Sequence, residues 1–128
     1  MAIHNTIGEE GEEIARKYLE SKGYSIVGQN YRTKRAEIDI IARLHQGFWG
    51  LGKSILVFVE VRTKHHEQYG SPEETIDYKK RMRLRRNAAA YIHRTKYRGP
   101  YRIDAVCVVV SQDARARRIS HYESIVET

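Results

Sequence analysis

Apolar and polar positions divide the chain into stretches with two different periods. Over residues 7–19, apolar or small side chains recur at steps of three and four, the spacing of one helix face. This spacing predicts a first helix that begins at a capping box formed by Thr6 and Glu9 and stops before Gly23. The residues on its apolar face are Ile7, Gly11, Ile14, Ala15, Tyr18 and Leu19.

Segments rich in β-branched residues predict the strands. Residues 55–61 are the most apolar run of the chain, which indicates a central strand buried on both faces. A short turn over residues 32–35 indicates that its two flanking strands form a hairpin. The glycine-rich residues 44–53 predict a loop whose Phe48 and Trp49 either pack on the domain itself or contact bases or a second subunit. The predicted strands cover residues 24–31, 36–42, 55–61 and 101–110, with a short edge strand over residues 119–126.

A second helix is predicted to start at Ser71, with Pro72 in the first helical position and Glu74 completing a capping box, and to run to about residue 93. The order helix, three strands, helix, strand predicts an α/β fold in which helices cover both faces of one mixed sheet. The length of 128 residues is typical of one domain, here residues 1–128.

Composition excludes several protein classes. The sequence has no run of about 18 apolar residues, so it predicts no membrane span. Residues 1–5 lack the layout of a signal peptide, and a cytoplasmic location is therefore expected. The single cysteine, Cys107, excludes an internal disulfide and a cysteine-based metal cluster.

The net charge of +7 is concentrated in the second part of the chain. Residues 1–78 hold 10 Lys and Arg against 12 Asp and Glu, whereas residues 79–128 hold 13 against 4. Such a basic region fits nucleic acid, because each neutralised phosphate releases counterions, although a merely solubilising surface is the alternative. The residues expected to contact nucleic acid are Arg81, Arg83, Arg85 and Arg86 on the second helix, with Arg32 and Lys34 in the hairpin turn. A solvated turn or a secondary phosphate contact is expected at Arg115, Arg117 and Arg118.

Two acidic residues interrupt strands that are otherwise apolar. Asp39 lies between isoleucines, and Glu60 falls within the most apolar run. A buried carboxylate without a partner protonates, so each acid needs a cation, a set of donors or a place at the open end of the sheet. Arg62 allows a simple ion pair with Glu60 as the alternative. Two carboxylates on neighbouring strands can also bind one hard cation such as Mg²⁺.

Each predicted helix offers a further candidate for this site. Glu12 lies at the border of the apolar face of the first helix, where it either looks towards the edge of the sheet or is an ordinary surface glutamate. Lys80 lies on the apolar stripe of the second helix, four residues from both Ile76 and Leu84. It either extends outwards into solvent or neutralises a phosphate.

The ordered set of motifs resembles the YraN-type family, small bacterial proteins of the restriction-endonuclease-like class with PD-(D/E)xK sites, which are similar in layout to Holliday junction resolvases. The similarity extends over residues 8–110. The matching pieces are Gly8-x-x-Gly11-Glu12-x-x-Ala15, Tyr18-Leu19-x-x-x-Gly23-Tyr24, Asn30-Tyr31-Arg32, Glu37-Ile38-Asp39-Ile40-Ile41-Ala42, Val57-Phe58-Val59-Glu60-Val61-Arg62, Tyr69-Gly70, Lys80 with Leu84 and Ala88, and Arg102-Ile103-Asp104.

This resemblance implies a restriction-endonuclease-like three-layer fold with an αβββαβ core and a central mixed β-sheet. It implies that Asp39 and Glu60 are metal ligands, that Arg62 occupies the basic position of the motif, and that Glu12 matches the first-helix glutamate of the resolvase-like branch. Two departures are Ala36, where the family usually has glycine, and Arg62, where the nuclease signature has lysine.

An arginine at the signature position binds phosphate but does not release its proton for transfer. Lys64 on the same strand face, or Lys80, is the expected substitute. The loop over residues 44–53 is also longer than usual for the family.

The resemblance and the residues together predict a metal-dependent endodeoxyribonuclease that hydrolyses phosphodiester bonds in branched or structured DNA. Asp39, Glu60 and the main-chain carbonyl of Val61 would hold Mg²⁺ or Mn²⁺, which polarises the phosphodiester and lowers the pKa of a bound water. Arg62, Lys64 or Lys80 would stabilise the charge that develops on the phosphate. The alternatives are a non-catalytic nucleic-acid-binding protein that retains the fold, and a subunit whose site is completed by a partner. A homodimer is compatible with the sequence.

Overall fold

A computed structural model describes residues 7–47, 52–113 and 115–128 as two helices and five strands. The strands form one sheet in the order β1-β2-β3-β4-β5, in which β3 and β4 are parallel and the other neighbours are antiparallel. The elements are α1 (Ile7–Ser21), β1 (Tyr24–Arg32), β2 (Glu37–His45), β3 (Ser54–Lys64), α2 (Tyr78–Thr95), β4 (Tyr101–Val110) and β5 (Ala116–Tyr122), with a short 3-10 turn over Glu73–Thr75 before α2.

The two faces of the sheet are covered by different helices, which confirms the predicted α/β fold. Val57 and Val59 of β3 belong to a core that includes Ala15 and Leu19 of α1. Phe58, between these two valines, packs with the core on the α2 side. Successive residues of a strand point to opposite faces, so the unbroken apolar run of β3 is the expected result of burial on both sides. The mixed sheet and its helices are consistent with the three-layer fold that the resemblance implied.

The ends of the first helix and of the hairpin show where the sequence was informative. Gly23 follows α1 with φ +92°, a left-handed conformation that favours glycine, as its predicted role as a stop requires. Thr6, Phe48 and Trp49 lie outside the described residues. The predicted loop over residues 44–53 is shorter than expected, because β2 continues to His45 and β3 begins at Ser54.

The predicted start of the second helix at Ser71 is wrong. The Ser71 hydroxyl does accept a hydrogen bond from the Glu74 N–H (3.3 Å), but this contact caps only the 3-10 turn. Ile76 then leaves the helical region with φ −101° and ψ 76°. The α-helix begins two residues later, where the Asp77 side chain accepts the Lys80 N–H at 2.8 Å. Asp77 is the actual N-cap because its extended backbone and carboxylate satisfy the first free N–H groups.

The predicted edge strand over residues 119–126 is shifted. β5 starts at Ala116, so Arg117 and Arg118 belong to the strand and not to a turn. After Tyr122 the chain turns away from β4, since Ser124 has φ +53° and its N–H donates to the buried Asp104 carboxylate at 3.0 Å. Within the described part of the chain, no helix is both long and apolar enough to cross a membrane.

Candidate metal and phosphate site

The predicted acidic and basic residues meet at one open cavity of about 690 Å³. Its walls come from the first turns of α1, the β1–β2 turn, the ends of β2 and β3, and one face of α2. The predicted site residues that line it are Glu12, Arg32, Lys34, Asp39, Glu60, Val61, Arg62, Lys64, Lys80 and Arg83. Residues that are far apart in sequence therefore share one solvent-reachable space.

Asp39 and Glu60 converge where the pairing between β2 and β3 ends. The backbone ladder extends to Ile40 opposite Val59. Beyond this pair, the Asp39 carboxylate replaces the backbone as acceptor and receives the Val61 N–H at 2.9 Å. The carboxyl groups of Asp39 and Glu60 are themselves joined by a hydrogen bond. The two acids consequently lie side by side on neighbouring strands.

Burial and the proximity of a second acid change the acidity of Asp39. Burial is the largest cause, and the hydrogen bond to Glu60 and the charge of Glu60 follow; together they raise the pKa of Asp39 to about 8. The hydrogen bond from the Val61 N–H acts in the opposite direction but is weaker. Negative charge at this position is therefore costly until a positive charge joins the pair.

Glu60 is almost fully buried, and two cations approach it. Its side chain is 6% exposed, and its Oε2 lies 2.9 Å from the Lys80 Nζ and 3.5 Å from the Arg62 Nη1. Arg62 also donates from Nε to the Thr75 hydroxyl at 2.7 Å, which directs much of its guanidinium towards the 3-10 turn. Lys80 is thus the nearer partner of Glu60, although Arg62 is only two residues away in sequence.

Glu12 points into the cavity, so the expectation of an ordinary surface glutamate is wrong. It hydrogen-bonds to Asp39, and burial is the main reason that the pKa of Glu12 is raised. The helix carrying it comes close to the sheet because Gly11 has no side chain. A Cβ on Gly11 would lie 1.8 Å from the Thr63 Oγ1. Glycine at this position therefore helps to place the third carboxylate beside the first two.

Basic residues form the rim of the cavity. Lys34 and Arg35 of the β1–β2 turn and Arg83 of α2 line it, and none of these three has a carboxylate partner among the residues that the structure describes. Arg32, by contrast, pairs with Glu37 at 2.6 Å. Free positive charge beside buried acids is the arrangement that a phosphate group requires next to a cation site.

The remaining predicted arginines lie away from this cavity. Arg81 donates to the Ile76 carbonyl at 3.2 Å and lines a second, smaller cavity near Tyr122. Arg85 and Arg86 are exposed on α2 but do not line the acidic cavity. Of the four arginines that the sequence grouped together, only Arg83 shares the face of Lys80.

Three polar residues of the site were missed in the sequence. Asn87 lies on the cavity side of α2 and donates to the Glu37 carbonyl at 2.8 Å. Its spacing from Lys80 and Arg83, at helical steps, was a signal that could have revealed it. Thr75 and Asn30 gave no such signal, because their contacts depend on how distant segments fold together.

A second group of acids has a different character. Atoms of Asp104, His121 and Glu123 lie within 4.8 Å of one another. Asp104 is fully buried, and Arg102 donates to both of its carboxylate oxygens at 3.0 and 3.1 Å. Although burial raises the pKa of Asp104, hydrogen bonds from His121 and Arg102 lower it further than burial raises it. Since Arg102 already supplies the cation, this group stabilises the fold at the β4–β5 edge.

Comparison with known proteins adds a family without an assigned activity. Residues 11–108 match the family described as "Uncharacterised protein family UPF0102". The chain is 38% identical over 120 residues to a UPF0102 protein of Alkaliphilus metalliredigens, covering 93% of this chain and 98% of the relative. A UPF0102 protein of Leifsonia xyli subsp. xyli is 38% identical over 127 residues, covering 98% and 100%. A third, from Porphyromonas gingivalis, is 37% identical over 124 residues, covering 97% and 86%.

Proposed function

Since the chain belongs to the uncharacterised protein family UPF0102, we propose its function from the geometry of its own site: it is a metal-dependent nuclease that hydrolyses phosphodiester bonds in branched or structured DNA. The observation that supports this proposal is the convergence of Asp39 and Glu60 in a cavity with a basic rim. We further propose that it acts in the cytoplasm and forms a homodimer, which sedimentation would test.

The side chains of the acidic cluster fit a hard divalent cation. Asp39 and Glu60, with the Val61 carbonyl and Glu12 beside them, provide the oxygen donors that Mg²⁺ and Mn²⁺ prefer. The closeness of the two buried acids is unfavourable without added positive charge, and a divalent cation would remove this penalty. When bound, the ion supplies Lewis-acid stabilisation of the phosphate and makes a water molecule more acidic.

Lys80 is the residue proposed to replace the signature lysine. Its ammonium lies 2.9 Å from Glu60, so it already lies at the acidic cluster, although it comes from a helix and not from the strand. It can stabilise negative charge on a phosphate and release a proton. Arg62 keeps its charge at every accessible pH, and we assign it the stabilisation of the phosphate alone, with Lys64 as a further cation.

The rim residues are proposed to hold the DNA backbone. Lys34, Arg35 and Arg83 are free of carboxylate partners in the described part of the chain and surround the acids. Contacts of this kind position a nucleic acid without reading its bases. We therefore expect recognition of shape, such as a branch or a bend, and not of sequence.

The test is cleavage of branched and linear DNA in Mg²⁺ or Mn²⁺ by the wild type and by Asp39→Asn and Glu60→Gln. We expect cleavage by the wild type and a loss of at least about 100-fold in both variants, because each removes a ligand charge from the reacting site. The matched control is Glu37→Gln, which neutralises an exposed acid on the same strand. If the wild type cuts no better than the two variants with either metal, the protein is not a nuclease.

The second candidate is a non-catalytic protein that binds nucleic acid. Two contacts favour it: Glu60 is already paired with Lys80 and Arg62, and an arginine occupies the signature lysine position. This candidate predicts salt-sensitive binding without cleavage. It also predicts that Asp39→Asn leaves the affinity for DNA nearly unchanged.

A further inference from the structure

Asn30 makes an unusual contact with the acidic cluster. It lies in β1 with φ +50°, a left-handed conformation that asparagine adopts more readily than most residues. With its amide nitrogen turned towards α1, it donates to both carboxylate oxygens of Glu12, each at 3.2 Å. The backbone conformation and the side-chain contact together fix the carboxylate from the side of the sheet edge.

The chemical nature of this donor matters for what Glu12 can do. Glu12 hydrogen-bonds to Asp39 on the other side, and no Lys or Arg of the described residues pairs with it. A basic partner would cancel the charge of the carboxylate. A neutral amide instead holds its orientation and leaves its negative charge free for another cation.

We infer that Asn30 is a positioning residue that orients Glu12 as a further oxygen ligand of the divalent cation at Asp39 and Glu60. This inference rests on the proposed function, since it assumes that the acidic cluster binds such an ion. Asn30 does not touch the ion or the substrate and acts through Glu12.

Two substitutions separate the amide from the backbone. Asn30→Gly keeps a residue that tolerates φ +50° and removes only the donor. Asn30→Asp keeps the shape of the side chain and replaces the donor by a negative charge that faces Glu12. The exposed neighbour Gln29 on β1 provides the control Gln29→Ala. Thermal unfolding without metal verifies that each variant is folded.

The readout is the affinity for Mn²⁺ alone, measured by calorimetry on the full chain. Asn30→Gly is expected to weaken Mn²⁺ binding about fivefold, the effect of losing a hydrogen bond to a charged group, and Asn30→Asp about tenfold or more. Gln29→Ala is expected to bind as the wild type does. Because Asn30 acts through Glu12, the double variant Asn30→Gly with Glu12→Gln should bind no more weakly than Glu12→Gln alone.

Two results would overturn the positioning role: wild-type affinity in both Asn30 variants, or effects of Asn30→Gly and Glu12→Gln that multiply in the double variant. In either case, loss of Mn²⁺ binding in Asp39→Asn would leave the proposed function intact. If the wild type itself binds no Mn²⁺, the proposed function and the role of Asn30 fail together.

Discussion

Single residues set the electrostatic problem of this protein. Asp39 and Glu60 are like-charged, poorly solvated and in hydrogen-bond contact, and Glu12 adds a third acid beside them. Within the described residues, Lys80 and Arg62 are the only cations paired with this cluster, and both contact Glu60. Asp39 and Glu12 are left without a paired cation in that part of the chain. An arrangement that costs stability without compensation in the fold is typical of a functional site.

The first prediction concerns Lys80. Lys80→Gln should reduce Mn²⁺-dependent DNA cleavage at least about 100-fold, since it removes the positive charge nearest to Glu60 and the reacting phosphate. Lys64→Gln should have a smaller effect, about tenfold, because Lys64 lines the cavity without contacting the acids. Single-turnover cleavage rates provide the measurement.

The control for this prediction is Lys79→Gln, which removes an exposed lysine from the adjacent position of α2. It should cleave at the wild-type rate. A Lys80→Gln variant that cleaves as fast as Lys79→Gln would assign the role of the signature lysine to another residue.

At this scale the sequence identified the acids but not their partners. Asp39 and Glu60 stand out because each interrupts an apolar run, and that signal is local. The choice of Lys80 over Arg62 as the nearer partner of Glu60 depends on how α2 packs across the sheet. The contact of Asn30 with Glu12 depends likewise on two segments that the periodicity of the sequence does not relate.

At the scale of elements, the approach of α1 to β3 places Glu12. Gly11 faces Thr63 so closely that an added Cβ would lie 1.8 Å from its Oγ1 and 2.6 Å from its Cγ2. We predict that Gly11→Ala destabilises the fold by about 2 kcal/mol, because the helix must move away from the sheet. Urea unfolding measures the change.

Two variants make this prediction specific. Adding Thr63→Ala to Gly11→Ala should restore part of the lost stability, since it removes the two nearest atoms. Gly28→Ala is the control, because nothing lies within 4 Å of a Cβ at that position. Equal effects of Gly11→Ala and Gly28→Ala would contradict the close contact of α1 with β3.

The 3-10 turn is attached to β5 by an ion pair that makes stability depend on pH. Arg118 donates to both oxygens of Glu73, at 2.6 and 2.9 Å, and this contact lowers the pKa of Glu73 to about 2. A carboxyl group with a lowered pKa stabilises the folded state above its unfolded value, near 4.5, and this contribution disappears as the pH falls towards 2.

We therefore predict that the wild type exceeds Arg118→Gln in free energy of unfolding by about 1 kcal/mol at neutral pH, a value that allows for solvent screening. The difference should vanish between pH 4.5 and about 2. Urea unfolding over this range measures it, with the exposed Arg115→Gln as the control. A difference between wild type and Arg118→Gln that stays constant with pH would exclude Glu73 as its origin.

The elements were predicted where the pattern of the sequence is itself local. Strands β3 and β4 and the stop of α1 at Gly23 follow from apolar runs and from glycine. The starts of α2 and β5 did not follow, because Ser71 and Asp77 are both good caps and only tertiary packing selects between them. The shift of β5 has a similar cause, since Arg118 enters the strand where its two glutamate partners, Glu67 and Glu73, lie across it.

At the scale of the whole molecule, the surplus of positive charge is placed around the acidic cavity. Lys34, Arg35 and Arg83 are brought together from the β1–β2 turn and α2. The sequence indicated a basic second half, but it could not show that the turn near residue 34 contributes to the same rim. That arrangement exists only once the sheet and both helices have assembled.

This arrangement predicts the salt dependence of DNA binding. Replacing Lys34, Arg35 and Arg83 together by Gln should reduce the magnitude of the slope of log K against log salt concentration by about 2–3, one counterion term for each lost phosphate contact. Replacing Arg85 and Arg86, which lie away from the cavity, should change it less. Fluorescence anisotropy without divalent metal measures the slope. Equal slopes in wild type and triple variant would place the DNA elsewhere on the surface.

The most direct measurement is the anomalous diffraction of a crystal of this protein soaked in Mn²⁺. We predict one Mn²⁺ peak with carboxylate oxygens of both Asp39 and Glu60 within about 2.5 Å of it, and no such peak in Asp39→Asn. A map without an ion at this position, in which Glu60 remains bound to Lys80 alone, would contradict the account.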